Sequence, residues 1–292
     1  MNIDILYLTH LFNGILMIAI PVCLGIYLTH KFQMGWRLWW IGAATFTLSQ
    51  VGHIPFNMGL SYLFQKGILP TPPENWSLIF NAAILGLSAG LWEECARYAT
   101  YSWWAKDARS WSTGVMLGAG HGGIEAILLG ILVLIAYFQL SALRNVDLSA
   151  LVPPDQVALA QQQVTQYWSA PWYMSLLGAV ERGFTIVTQI ALSIMVLQVF
   201  LRKQIWWLLI AVLWHALLDG LIVGIIVPTF GIYTAEIAVG LSALINLAII
   251  FALRTPEQIA TPAEPPATVQ TQSYSPAEVL ETPEKLDNTK FM

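Results

Sequence analysis

Seven long stretches of the chain have almost no polar punctuation. They run over residues 5–29, 36–61, 77–102, 113–138, 171–200, 205–228 and 232–253. Apolar runs of about 18 or more residues with few charges cross roughly 30 Å of hydrocarbon as helices, at about 1.5 Å per residue. The pattern therefore predicts an all-α, polytopic integral membrane protein with about seven transmembrane helices. Tryptophan favours the membrane–water boundary, and most of the 13 tryptophans fall at or near the ends of these runs. Trp92 and Trp214 lie inside, each directly before a charged or histidine residue. No basic segment precedes the first run and no cleavage site follows it, so it is expected to be a retained helix rather than a signal peptide.

Two segments break the pattern. Residues 141–170 form the longest loop, in which Pro153-Pro154-Asp155 opens a short helix through Gln166. A plain surface helix is expected there, and a lid over the fold is the sharper alternative. Residues 254–292 are rich in Pro, Thr, Glu and Gln, which predicts a disordered cytoplasmic tail after a membrane domain spanning 1–253.

Composition sharpens this division. Hydrophobic residues make up 57% of the chain and charged residues 10%, against roughly 25% charged in a soluble domain. The net charge of −4 resides mostly in the tail, where Arg254, Lys285 and Lys290 face six carboxylates. The absence of a basic cluster argues against a nucleic-acid partner and leaves the lipid bilayer as the surrounding medium. The two cysteines, Cys23 and Cys95, sit in apolar runs and exclude a disulfide framework or a Cys-based zinc site.

Lys and Arg set orientation. Lys31, Arg37, Lys106, Arg109, Arg202, Lys203, Arg254, Lys285 and Lys290 fall on one side of the seven spans, and only Lys66 and Arg144 on the other. Basic loops stay in the cytoplasm. The N-terminus is therefore expected outside and the C-terminus inside.

Eight charges remain within the spans: Glu93, Glu94, Arg97, Glu125, Glu181, Arg182, Asp219 and Glu236, joined by His121 and His215. At about 2.5–3.5 kcal/mol each, exposing all eight charges to lipid would cost on the order of 20 kcal/mol. They must face the bundle interior and one another, and such residues are functional candidates. Glu93 and Glu94 stand four and three residues before Arg97, so the guanidinium projects between the two carboxylates. His121 with Glu125, and His215 with Asp219, each place an imidazole and a carboxylate one turn apart on one face. Counted from the helix ends, Glu93, His121 and His215 lie at one depth, about 12–15 Å from the cytoplasmic boundary. One assembled site between spans 3, 4 and 6 is expected, reached most easily from the cytoplasmic half. Gly118, Gly120, Gly122 and Gly123 around His121 indicate either close helix packing or a locally loosened helix.

The ordered set Glu93-Glu94-Cys95-Ala96-Arg97, Gly120-His121-Gly122-Gly123-Ile124-Glu125, Glu181-Arg182 and His215-Ala216-Leu217-Leu218-Asp219 resembles the YhfC-like intramembrane proteases. That family is similar to the wider CAAX-protease and bacteriocin-processing group of glutamic-type membrane proteases. The resemblance covers residues 1–253 and implies a multi-pass peptidase of a prokaryotic cytoplasmic membrane, acting on a membrane-associated protein or peptide. It implies that Glu93 activates water, that His121 orients that water, that Glu94 pairs with Arg97, and that His215 and Asp219 face the oxyanion. Glu125, Glu181 and Arg182 would support them. Two departures stand out: two residues rather than three separate Glu94 from Arg97, and Asp219 stands where an Asn is common. Asp219 would then be protonated, orient His215, or help bind a cation.

The last option keeps zinc open, with His121, His215 and either Asp219 or Glu125 as ligands and Glu93 as base. The double Glu with Arg suffices without a metal, and no HExxH is present, so the metal-free mechanism is favoured with no cofactor required. The rival function is a proton-coupled transporter using the Glu/His/Asp set as a relay, and a non-catalytic scaffold is a third. Glu181 and Arg182, about 100° apart, are each expected to reach another helix. His53 is expected to serve polar packing, Glu236 to lie at the interface, and Asn246 to bridge helices.

Overall fold

The computed structural model describes residues 4–254, so nearly all of the expected tail lies outside the described residues. The described residues contain helices and connections and no strand. The main helices are α1 (Ile5–Phe32), α2 (Arg37–Gln65), α3 (Ser77–Ala99), α4 (Trp111–Leu143), α5 (Val157–Ser169), α6 (Leu177–Arg202) and α7 (Trp206–Leu218). After α7 the chain winds as a π-helix over Asp219–Ile226, closes with the single turn α8 (Val227–Phe230), and returns as α9 (Ile232–Ala252). A shorter π-helical turn, Thr100–Trp104, extends α3.

Six of the expected spans are long and apolar enough to cross a membrane. The seventh, α2, has 29 residues and so the length, but Gln50, His53 and Asn57 lower its apolar content. It nevertheless runs from end to end of the bundle. Arg37 at its start pairs with Asp107 at 2.5 Å, and Phe64 at its end meets Phe80 at the start of α3. The polar residues of α2 face α3 rather than lipid, which explains the weaker apolar signal.

The two ends of the bundle are distinct. At one, Asp4 caps α1 by accepting from the Leu6 amide and receives Arg144 at 2.7 Å. The Arg144 hydrogen bond holds the Asp4 carboxyl below its ordinary range. The same guanidinium lies over the rings of Tyr7 and Trp168, and His10 stacks on Tyr167. These contacts dock α5 on the ends of α1 and α4. It is the surface helix expected, and none of its residues lines the central cavity. At the opposite end, Ser110 and Thr113 cap α4, and the Trp111 indole donates to the Ile250 carbonyl. That end carries Arg37, Arg109 and Arg202 and is the basic face.

Helix α4 is the hub, packed against α1, α2 and α6, while α3 packs against α2 and α7, and α6 against α9. The glycines of α4 are close-packing positions, and the helix is continuous α through them. A Cβ on Gly120 would collide with the Trp39 backbone, and one on Gly118 would sit 2.6 Å from the Ile190 Cα. The loosened-helix alternative is thereby set aside. Gly120→Ala should force α2 away from α4, costing about 1–3 kcal/mol as overpacking does. The expected outcome is a lower yield of monodisperse protein after detergent extraction. An unchanged yield and melting profile would contradict this packing role.

Candidate active site

Packing around the hub brings the inward charges, Glu236 excepted, within reach of a partner. On α3, Glu93 and Glu94 project toward opposite neighbours because successive residues turn about 100°. Glu93 meets α4, where His121 Nε2 lies 3.0 Å from its Oε2. It also meets α2, where Gln50 Nε2 donates to its Oε1 at 3.1 Å. Glu94 faces α7, with His215 Nδ1 at 2.7 Å. Arg97 donates to Glu94 and to Gln189 of α6, and stands 3.7 Å from Glu93. Glu94, Arg97 and His121 are fully buried, so these bonds take the place of water, while Glu94 Oε2, Arg97 Nε and His121 Nδ1 have no hydrogen-bond partner among the described residues.

A second group continues from the first. Arg182 reaches Glu125 of α4 at 2.6 Å and also bonds its neighbour Glu181. The expectation that Glu181 and Arg182 would each reach another helix thus holds for Arg182 only. The long guanidinium folds back across the 100° separation to its neighbour. Gln189 joins the groups, donating to Glu125 at 3.0 Å and to Glu93 at 3.4 Å while accepting from Arg97. His215 Nε2 stands 3.5 Å from Asp219, too far for a firm hydrogen bond. Glu94, and not Asp219, is therefore the carboxylate that holds His215.

Sequence reasoning missed two participants, Gln50 and Gln189. Amides inside apolar helices were the available signal, since burying one unpaired costs about as much as a lost hydrogen bond. His53 packs on Ser88 at 3.1 Å and on Gln50, one step removed from Glu93. Asn246 bridges as expected, accepting from the Trp214 indole and donating to Thr188. Glu236, near the start of α9, is partly buried and lines the central cavity.

That cavity, of about 230 Å³, begins at Glu93, Gln189 and His215 and ends among Glu181, Val227, Ile232 and Glu236. It lies on the α5 side of Glu93, away from the basic face. Along α4, α6, α7 and α9 its lining residues climb from the site toward the α5 end of the bundle. Toward the basic face the interior is shut by Tyr101, Leu117, Ile194, Leu197 and Ala211, all fully buried. Counting from helix ends locates a site in depth, but which end is plugged depends on how side chains from four helices fill the axis.

Among the described residues no three His, Cys, Asp or Glu side chains converge as ligands. His121 Nε2 is taken up by Glu93, and Glu125 by Arg182 and Gln189, which leaves His215 Nε2 and Asp219 as the pair facing the cavity. As packed, these residues do not fit a bound zinc ion, which needs three protein ligands at about 2.0–2.2 Å.

Residues 16–255 match the family described as YhfC intramembrane metalloprotease. The chain belongs to that family. It is also similar to a protein of Bacillus subtilis (strain 168) named uncharacterized membrane protein YhfC. The two are 29% identical over 215 residues, covering 71% of this chain and 80% of the relative. No solved structure matches the chain. Membership in the YhfC family bears out the resemblance carried by the four motifs, places the chain among multi-pass membrane proteases, and disfavours the transporter. The family description names a metal that the side chains, as arranged here, do not gather around.

Proposed function

We propose that this YhfC-family member is an intramembrane endopeptidase in which Glu93 activates the attacking water and no protein-bound metal takes part. The observation that carries this reading is the set of bonds on Glu93. One oxygen accepts from Gln50, the other faces His121 and the Gln189 amide, and the carboxylate borders the cavity. A carboxylate fixed in this way is oriented for proton transfer to and from a substrate-side water.

The steps follow from that placement. Glu93 takes a proton from water as the oxygen attacks the scissile carbonyl carbon. His215, held by Glu94 through Nδ1, presents Nε2 to the cavity and donates to the developing oxyanion. Collapse of the tetrahedral species breaks the C–N bond, and the proton on Glu93 passes to the leaving amine. The products are a carboxylic acid and an amine. Arg97 keeps Glu94 and Glu93 apart in role, through direct bonding to the first and a 3.7 Å approach to the second. Asp219 stands 3.5 Å from Nε2 on the cavity side. The basic face is cytoplasmic in this reading, with seven crossings and the N-terminus outside.

The test is cleavage of a fluorogenic membrane-peptide library by purified protein in detergent or proteoliposomes. Activity should persist after dialysis against a strong chelator. Loss on chelation that zinc restores would overturn the metal-free mechanism and support metal-dependent proteolysis. Absence of cleavage together with pH-driven solute uptake would move the function to transport.

A further inference from the structure

The lining of the cavity above Glu93 is of two kinds. Leu218, Ile222 and Val239 pack together as an aliphatic patch. The polar part carries the carboxylates Glu93, Glu125, Glu181, Asp219 and Glu236 against a single guanidinium, Arg182. Arg182 is committed to Glu125 and Glu181. Asp219 has no guanidinium among the described residues, and Glu236 Oε2 is shielded from solvent without a hydrogen-bond partner there.

We propose that this cavity is the substrate entry, open at the α5 face, and that it takes a peptide segment bearing a lysine or arginine beside the scissile bond. A basic side chain matches both parts of the lining at once, its methylene stem against the aliphatic patch and its charged head against Asp219 and Glu236. A glutamate beside Asp219 and Glu236 would meet like charge. The identification of the occupant as a peptide rests on the protease reading. The position and charge preference of the entry rest on the cavity itself and are measured without turnover.

The experiment uses full-length protein in vesicles of known orientation, with Cys23 and Cys95 replaced by Ala. Single cysteines are placed in the cavity as Ser242→Cys and Thr185→Cys, and in the plug as Ser193→Cys. Each is labelled with a trimethylammonium or a sulfonate thiosulfonate, and rates are normalised to those of a free thiol. At both cavity positions the cationic reagent should react at least tenfold faster, and only when added at the face opposite the C-terminus. Glu236→Gln should reduce that ratio several-fold, and Ser193→Cys should stay unlabelled. An alanine octapeptide with one central lysine should slow labelling of Ser242→Cys at least threefold, and its norleucine counterpart should not.

Equal normalised rates, or labelling from the C-terminal face, would overturn the entry and its charge preference. Equal protection by the two peptides would overturn the basic-residue preference alone. None of these readouts changes if the protein cleaves nothing, so failure of the protease reading is visible separately.

Discussion

Glu93→Gln will lower kcat for peptide cleavage by about 10²–10⁴-fold, the usual contribution of a positioned general base, with KM little changed. The variant isolates the proton-transfer role because Gln has nearly the shape of Glu and keeps a carbonyl oxygen for the Gln50 donor. It cannot take a proton from water. The measurement is steady-state cleavage of any peptide found in the library, alongside size-exclusion and thermal profiles that report folding. A folded variant with kcat within threefold of the parent would remove Glu93 as base. The role would then fall to Asp219, the cavity carboxylate beside His215.

The second large effect is on stability. Arg97 is fully buried, bonds Glu94 and Gln189, and lies near Glu93. Arg97→Met should reduce the unfolding free energy by about 3–5 kcal/mol, because it strands a buried carboxylate without its counter-charge. Adding Glu94→Gln should recover much of the loss, since it removes the orphaned charge as well. Denaturant-driven unfolding of the detergent-solubilised single and double variants measures both. A single variant as stable as the parent, or a double variant no better than the single, would show that the triad is not a coupled ionic unit. In contrast to Glu93→Gln, this effect is present whether or not substrate is bound.

These two outcomes separate what a cluster of intramembrane charges does for folding from what it does for chemistry. Glu94 and Arg97 satisfy one another in the interior. Glu93, next to them in the chain, turns toward α2 and α4 and borders an open cavity. Adjacent carboxylates thereby acquire different surroundings from a single helical register.

Much of the fold could be read from the chain alone. Apolar length fixes a helix wherever no water is present to satisfy the backbone, so the spans followed from hydropathy, and only the more polar α2 fell short on composition. Spacing also sufficed for contacts within one helix: the Glu94–Arg97 clamp was legible because residues three apart must meet. The common depth of Glu93, His121 and His215 was legible because each helix rises at a fixed rate.

Contacts between helices were another matter. That Glu94 holds His215, that Gln189 ties Arg97 to Glu93 and Glu125, and that α2 supplies Gln50 depend on the rotation of each helix about its axis. Packing at positions such as Gly42, Gly86 and Gly120 sets those rotations. The direction of access was decided in the same way, by which end of the bundle its side chains fill. The chain by itself determined that long apolar helices make up the fold and which charges must be buried together. The tertiary structure decided which partner each charge took and which end stayed open, because both depend on helix rotation and side-chain volume rather than on spacing along the chain.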